Sequence, residues 1–447
     1  MKSIGGCLLL LAWLFVVFNA YVPGVFRHVS ALLLWLAACI LFFQANKASQ
    51  KQITILSVVT LALIGLVYGL GGTVEWARFF EINETMCAMF AAGSFLSLIT
   101  HKAEHRQNLT GAKGIFSTYC AANILGGVIN LASIYVIGDR LSQKGKLSQE
   151  QVELISRGFC AAAYWSPFFV GCAVALSLSH GMELSVTIPC GILLSLITML
   201  VSYGEIRASY RKKSFEAAKT GNIGPSMADF EGYSLSFKEL RLPLALVLGV
   251  LLFHLLDPSR SILIVISIVV PTVVFIAMEK QNFRTKIHDQ IHDQIHDNFP
   301  SMGGQIALYL VAGAMSTAIL ALLKVKHIDF LTGLISSFGP LEAFGVLILI
   351  VAISYCGLHP IITIYSLIPL LLNFNPDPTL VGLLIVVGWG LGITVSPLSA
   401  ANLSFLGRYH TSGKMILKMN KLFVLKILLA CLGIFWLETW LKSWLNF

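Results

Sequence analysis

The sequence predicts an all-α polytopic membrane protein built as an inverted-topology repeat, with two re-entrant hairpins and two discontinuous helices. Composition, an internal match at constant offset and the distribution of basic residues carry that expectation. Hydrophobic residues make up 56% and charged residues 12% of the 447 positions, where an ordinary globular chain has about 25% charged residues. Gly127, Tyr135, Gly158, Ser166 and Pro167 recur as Gly357, Tyr365, Gly388, Ser396 and Pro397, each about 230 positions later without a gap. Overall identity in this window is low, so the match rests on register: Gly, Ile-Tyr, Gly, then Ser-Pro, in both copies.

Apolar runs at 4–20, 29–43, 53–71, 184–201, 242–256, 261–278, 306–323 and 422–441 approach or reach the roughly 20 residues of a spanning helix. The first run has a single basic residue before it, Lys2, and further spans follow, so it reads as an uncleaved helix and not a secretory leader. The nine cysteines lie in apolar runs without paired spacing and read as small core residues, neither a disulfide framework nor a metal site.

Charge orients the chain. With the N-terminus cytoplasmic, each long run crossing once, and 113–137 and 341–373 re-entering, 24 of the 31 Lys and Arg fall inside and six outside, with Lys426 within a span. That asymmetry is the one the positive-inside rule requires. The inside set includes Arg140 and Arg157 from the first repeat. The net charge of +9 is accounted for by orientation and by anionic membrane lipids as partners, with no nucleic-acid partner. The expected layout is N-terminal spans at 1–52 and repeat unit 1 at 53–202, with hairpin 113–137 and broken helix 157–178. A cytoplasmic linker and connecting span follow at 203–260, then repeat unit 2 at 261–443, with hairpin 341–373 and broken helix 380–406.

Four interruptions define the candidate site. Gly126-Gly127 breaks the first hairpin and Tyr164-Trp165-Ser166-Pro167 the first broken helix; Cys356-Gly357-Leu358-His359-Pro360 and Thr394-Val395-Ser396-Pro397-Leu398-Ser399 are their counterparts. Proline removes a backbone donor and glycine weakens a helix by about 1 kcal/mol. In hydrocarbon the freed groups need partners, so unwound backbone survives only where it is buried or faces a wet cavity. Half-helix N-termini there attract anions, and free carbonyls with Ser and Asn oxygens suit a small cation. Matched interruptions in a duplicated apolar chain point to the binding site of a secondary transporter.

In these segments the chain resembles the ion transporter superfamily, and within it the divalent anion/sodium symporter family. Ile129-Asn130-Leu131 and His359-Pro360-Ile361 stand where that family has Ser-Asn-Thr hairpin tips. Leu367-Ile368-Pro369-Leu370 is similar to the Leu-Leu-Pro-Ile tail of its second hairpin. Ser396-Pro397-Leu398-Ser399-Ala400-Ala401-Asn402 is similar to its second interrupted helix, and Ser166-Pro167 fits the first. The likeness is one of architecture and spacing, and neither tip keeps Ser-Asn-Thr. It implies a secondary active transporter in the bacterial inner membrane, moving a small organic anion of the carboxylate class with Na+ or H+ by alternating access. It also implies a homodimer. Beyond the coupling ion, no cofactor and no catalytic residue are expected.

The candidate substrate- and ion-binding residues are Gly127, Asn130, Ser166, Pro167, Gly357, His359, Pro360, Ser396, Pro397, Ser399 and Asn402. For the serines and asparagines the alternative is local capping of broken backbone; Tyr135 and Tyr365 read as packing residues. His359 is the one ionisable side chain placed clearly at membrane depth, suited to proton exchange or to donating to an anion. The tandem Ile-His-Asp-Gln repeat at 287–297 stacks His288, His292 and His296 at helical spacing, but reads as slack in a tolerant cytoplasmic loop. An exporter of an inorganic oxyanion or metabolite is the rival within the class. A polytopic membrane enzyme such as a glycan polymerase is the rival outside it, disfavoured by short outer loops poor in His, Arg and carboxylates.

Overall fold

The computed structural model describes residues 2–24, 28–99, 107–277, 289, 291–325 and 337–445. Its helices are α1 (Lys2–Tyr21), α2 (Val29–Phe42), α3 (Lys47–Gly69), α4 (Trp76–Glu81), α5 (Glu84–Gly93) and α6 (Gly111–Ile129). Then come α7 (Ala132–Leu141), α8 (Gln149–Ala162), α9 (Val170–Leu178), α10 (Leu184–Lys219), α11 (Phe237–Leu256) and α12 (Ile262–Ala277). The last are α13 (Gly303–Val325), α14 (Pro340–Tyr355), α15 (Pro360–Leu371), α16 (Pro378–Val395), α17 (Ala400–Arg408) and α18 (Gly413–Leu445). Among the described residues, seven helical segments are long and apolar enough to cross a membrane, with α16 and α17 counted as one broken span. The chain is therefore a polytopic, helical membrane protein.

The 230-residue register extends to whole elements. Helices α14 to α18 each begin about 230 positions after α6 to α10, in the same order. The starts of the matched pair α8 and α16 are capped alike: Ser148 and Gln151 form a capping box, and Asp377 accepts from the Thr379 and Leu380 amides. Such caps satisfy helix donors that have no partner within the helix.

The chain divides into two compact units. One comprises residues 1–100, 244–338 and 361–376, the other 101–243, 339–360 and 377–447. Each sequence repeat therefore contributes to both units. In the first unit α3 packs on α13 through Ile64, Val67, Ala314, Ala318 and Ala321. Asn83, fully buried, donates to the Tyr309 carbonyl and accepts from the Tyr365 hydroxyl. Tyr365 is thus a packing residue with its polar end satisfied, as expected of it. Of the Ile-His-Asp-Gln tandem, Asp289 and 291–297 are described and His288 lies outside the described residues. His292 stacks on His296, and no group of three metal-ligating side chains occurs among the described residues.

In the second unit α6 packs on α8 and α14 on α16. Gly158 and Gly388 occupy matching places in these contacts. A Cβ on Gly158 would lie 2.8 Å from the Tyr119 carbonyl oxygen, and one on Gly388 would lie 3.1 Å from Ile350. Small residues are what permit such backbone approach between membrane helices. The linker after α10 returns as strand β2 (Glu231–Gly232), antiparallel to β1 (Leu109–Thr110) at the start of α6. Tyr233 and Leu235 donate through their amides to the Thr118 and Ser117 hydroxyls, so the linker is fastened along α6.

Two expectations need correction here. The first broken helix starts at Gln149, earlier than 157, because the Ser148–Gln151 capping box nucleates it. Arg157, counted among the cytoplasmic charges, therefore sits inside α8 and is 1% exposed. Arg157, Glu153 and Glu438 are ionisable side chains buried in the protein, and the sequence reading did not single them out.

Candidate functional site

The turns of the two expected hairpins, residues 130–131 and 356–359, and both helix breaks fall in the second unit, but residues 361–376, the return arm expected of hairpin 341–373, belong to the first. At the first turn, Asn130 takes φ 51°, ψ −133°, a conformation that L residues other than Asn and Asp seldom adopt. Its carbonyl accepts from the Ser133 amide at 3.0 Å and hydroxyl at 2.7 Å. At the second turn, Gly357 takes φ 100°, where glycine carries no Cβ penalty.

At the first break α8 ends at Ala162 and α9 begins at Val170. Ser166 is fully buried. Its hydroxyl donates to the Gly127 carbonyl at 2.5 Å and accepts from the Phe168 amide. Gly127 eases this approach, since a Cβ there would lie 3.2 Å from that of Ser166. Trp165 donates through its indole to Asn123, whose own amide donates to the Gly158 carbonyl. On the far side α10 presents Gly191, where a Cβ would meet the Tyr164 carbonyl oxygen at 2.0 Å. Only glycine fits at that distance.

At the second break α16 ends at Val395 and α17 begins at Ala400. Ser396, also fully buried, donates to the Leu358 carbonyl at 3.3 Å. The two breaks thus share one device, a serine before proline tied to a carbonyl of the adjoining hairpin. Ser399 caps α17, its hydroxyl accepting from the Asn402 amide. The Asn402 side-chain amide donates to Ile393, Thr394 and Ser396 carbonyls at 3.2, 3.2 and 2.9 Å. Those are carbonyls of the α16 end and the break, which would otherwise be short of partners. Its Oδ1 is buried and has no hydrogen-bond partner among the described residues. Pro360 closes the site from the hairpin, 2.7 Å from where a Gly392 Cβ would lie. Pro397 and Leu398 approach Gly357. The His359 ring meets Trp389 edge-on at 5.2 Å between centroids.

Helix α16 packs against the first break and α9. A Cβ on Gly390 would lie 2.4 Å from the Tyr164 ring, and one on Gly171 would lie 2.8 Å from Trp389. Helix α7 docks against α17: Tyr135 shares a hydrogen bond with Ser404, and Arg408 grips Asp139 through two bonds of 2.7 and 2.6 Å. Gly127, Ser166 and Pro167 form one group, and Gly357, His359, Pro360, Ser396, Pro397, Ser399 and Asn402 another. Asn130 stands apart from both in its contacts, bonded within its own turn.

Sequence reasoning missed the charged neighbour of the second group. Arg157 donates through Nη2 to the Met419 carbonyl at 2.7 Å and pairs with Glu205 at 3.0 Å. Its Nε donates to Asn420 Oδ1 at 3.3 Å, and its guanidinium lies over the Phe423 ring. Lys426 also pairs with Glu205, at 2.7 Å. The signal available in sequence was the Glu153–Arg157 spacing of one helical turn, which marks a paired arginine; the structure places them 3.7 Å apart.

No protein-family profile matches the chain, and no curated protein is similar to it in sequence. Among solved structures it is similar to the YdaH transporter of Alcanivorax borkumensis, described as having an unusual topology. The TM-score is 0.40 and the identity 13%, over 98% of this chain and 98% of that one.

Proposed function

We propose that this protein is a secondary active transporter that moves a small organic anion of the carboxylate class across the inner membrane, coupled to Na+ or H+. The observation that carries this reading is the pair of Ser-Pro breaks, each tied by its serine to a hairpin carbonyl. Within a polytopic membrane chain, such breaks expose helix ends that suit ions. The N-termini of α9 and α17 are the half-helix ends that attract anionic groups. The orphaned Asn402 Oδ1 supplies an acceptor of the kind a small cation requires. In this reading the hairpins re-enter, the two repeats have opposite orientation, and the hairpins with the broken helices move together for alternating access. Uptake of a divalent anion against an inside-negative potential costs about 2.3 kcal/mol per charge per 100 mV, which is why a coupling cation belongs to the proposal.

The test is thermal stabilisation of the detergent-purified protein by di- and tricarboxylates, sugar acids and oxyanions, with and without sodium, at about pH 5.5 and about pH 7.5. A carboxylate that stabilises only with sodium, and loses that effect in Asn402→Ala, supports symport with Na+. Stabilisation that depends on pH alone and vanishes in His359→Ala assigns the coupling to protons. Stabilisation by an oxyanion and by no carboxylate overturns the substrate class, and none under any condition overturns the reading.

A further inference from the structure

We propose that Arg157 is a positioning residue for the second break, acting through Asn420. This rests on the reading of that break as the solute and ion site. The Thr394 carbonyl lies in the last turn of α16 and lacks a helical partner because the chain breaks two residues later. It receives two amides instead, from Asn402 and from Asn420, each at 3.2 Å. A side-chain amide can present either its oxygen or its nitrogen to a neighbour. Arginine has donors and no acceptor, so the Arg157 Nε at 3.3 Å holds the Asn420 oxygen toward itself. The Asn420 nitrogen is thereby committed to Thr394.

The guanidinium is itself held from several sides. Glu205 of α10 and Glu153 of α8 balance its charge, the Met419 carbonyl takes Nη2, and the Phe423 ring lies beneath it. Lys426 of α18 completes a group of two acids and two bases. The arrangement joins the two repeats with unlike parts. About 230 positions on from Arg157, Glu153 and Glu205 stand Val387, Leu383 and Phe435, and the same distance before Asn402 and Asn420 stand Cys172 and Cys190. Arg157 and both acids belong to the first repeat, and Lys426 and the amides to the second, so Arg157 is where the first repeat sets the geometry of the second repeat's break.

Asn420→Asp separates positioning from mere support. It keeps an oxygen for Arg157 and removes the donor to Thr394. Arg157→Gln with Glu205→Gln removes the orienting charge while leaving one acid, Glu153, and one base, Lys426. The readout is amide hydrogen exchange of the full-length protein in detergent, in peptides covering 393–403 and 163–173, beside the melting temperature. Expected in both variants is exchange about tenfold faster over 393–403, with 163–173 within about twofold of wild type. Unchanged exchange over 393–403 in either variant overturns the proposal, as does equal acceleration at both breaks. Solute screening of the wild-type protein decides separately whether the break binds an anion. Loss of that reading would leave the exchange result standing, and failure of the exchange result would leave the transport reading standing.

Discussion

The two helix breaks begin from the same dipeptide and are stabilised by opposite means. The first is packed shut by backbone: Gly191 of α10 lies against the Tyr164 carbonyl, and Gly127 admits Ser166. The second is wired by side chains: Asn402 and Asn420 take the carbonyls left at the end of α16, and Arg157 fixes the second of those amides. A duplicated helix pair has thus kept the serine that ties each break to its hairpin and diverged in how it treats the remaining free carbonyls. Close packing leaves little room for a ligand atom, whereas an amide with an unpartnered oxygen presents one. Under the proposed function, the second break is the one that offers an ion a free acceptor.

The largest effect expected is from Arg157→Leu. It strands Glu153 in a buried site and leaves Glu205 to Lys426, a loss of about 3–5 kcal/mol, read as a lower melting temperature that Glu205→Gln partly restores. Leu383→Ala, at the position matching Glu153, should behave as an ordinary cavity and gain nothing from Glu205→Gln. Next comes Gly191→Ala, which forces a methyl toward the Tyr164 carbonyl and should cost about 1–3 kcal/mol. Its counterpart Lys421→Ala, exposed on α18, should change stability by less than about 0.5 kcal/mol. Equal effects from that pair would show that the two breaks are not stabilised differently.

Asn402→Ala removes the donor shared by three carbonyls and should cost about 1–3 kcal/mol, with faster exchange confined to the second break. The matching Cys172→Ala deletes only a small buried group, and exchange at the first break should stay near wild type. The smallest effects belong to the serines. Ser166→Ala and Ser396→Ala should each cost about 0.5–1.5 kcal/mol. Ser166 should be the more sensitive, since its bond is shorter and its oxygen also accepts the Phe168 amide. The reverse order in melting temperatures would mean that the second tie is the stronger one.

Much of the site was legible because it is built from residues with few conformational choices. Pro167 and Pro397 follow helix ends in register, whereas Pro189, Pro243, Pro271 and Pro369 stand inside helices, and glycines at matching positions report close approach or positive φ, as Gly158, Gly388 and Gly357 do. The duplicated register anticipated a recurring turn and broken helix, and the structure extends it to five pairs of helices. Arg157 was misread because a basic residue near a helix start looks the same whether it lies in water or under a neighbouring helix. Its partners Glu205, Met419 and Asn420 lie far along the chain, and no local pattern announces them. Asn420 gave no signal for the same reason.

By itself, the sequence determined that the chain is membrane-embedded and helical, and that two Ser-Pro breaks recur in register, but not every helix end, since α10 continues to Lys219 through the start of the expected linker. These follow from local causes: hydrocarbon requires backbone satisfied within a helix, and proline cannot supply its share. Tertiary structure alone decided which carbonyls receive which amides, that a first-repeat arginine lies beside second-repeat helix α18, and that one break is closed by glycine and the other held by asparagine. Those outcomes depend on groups of separate helices, as far as 263 residues apart for Arg157 and Asn420, meeting within hydrogen-bond distance, and only the packed helices set that distance.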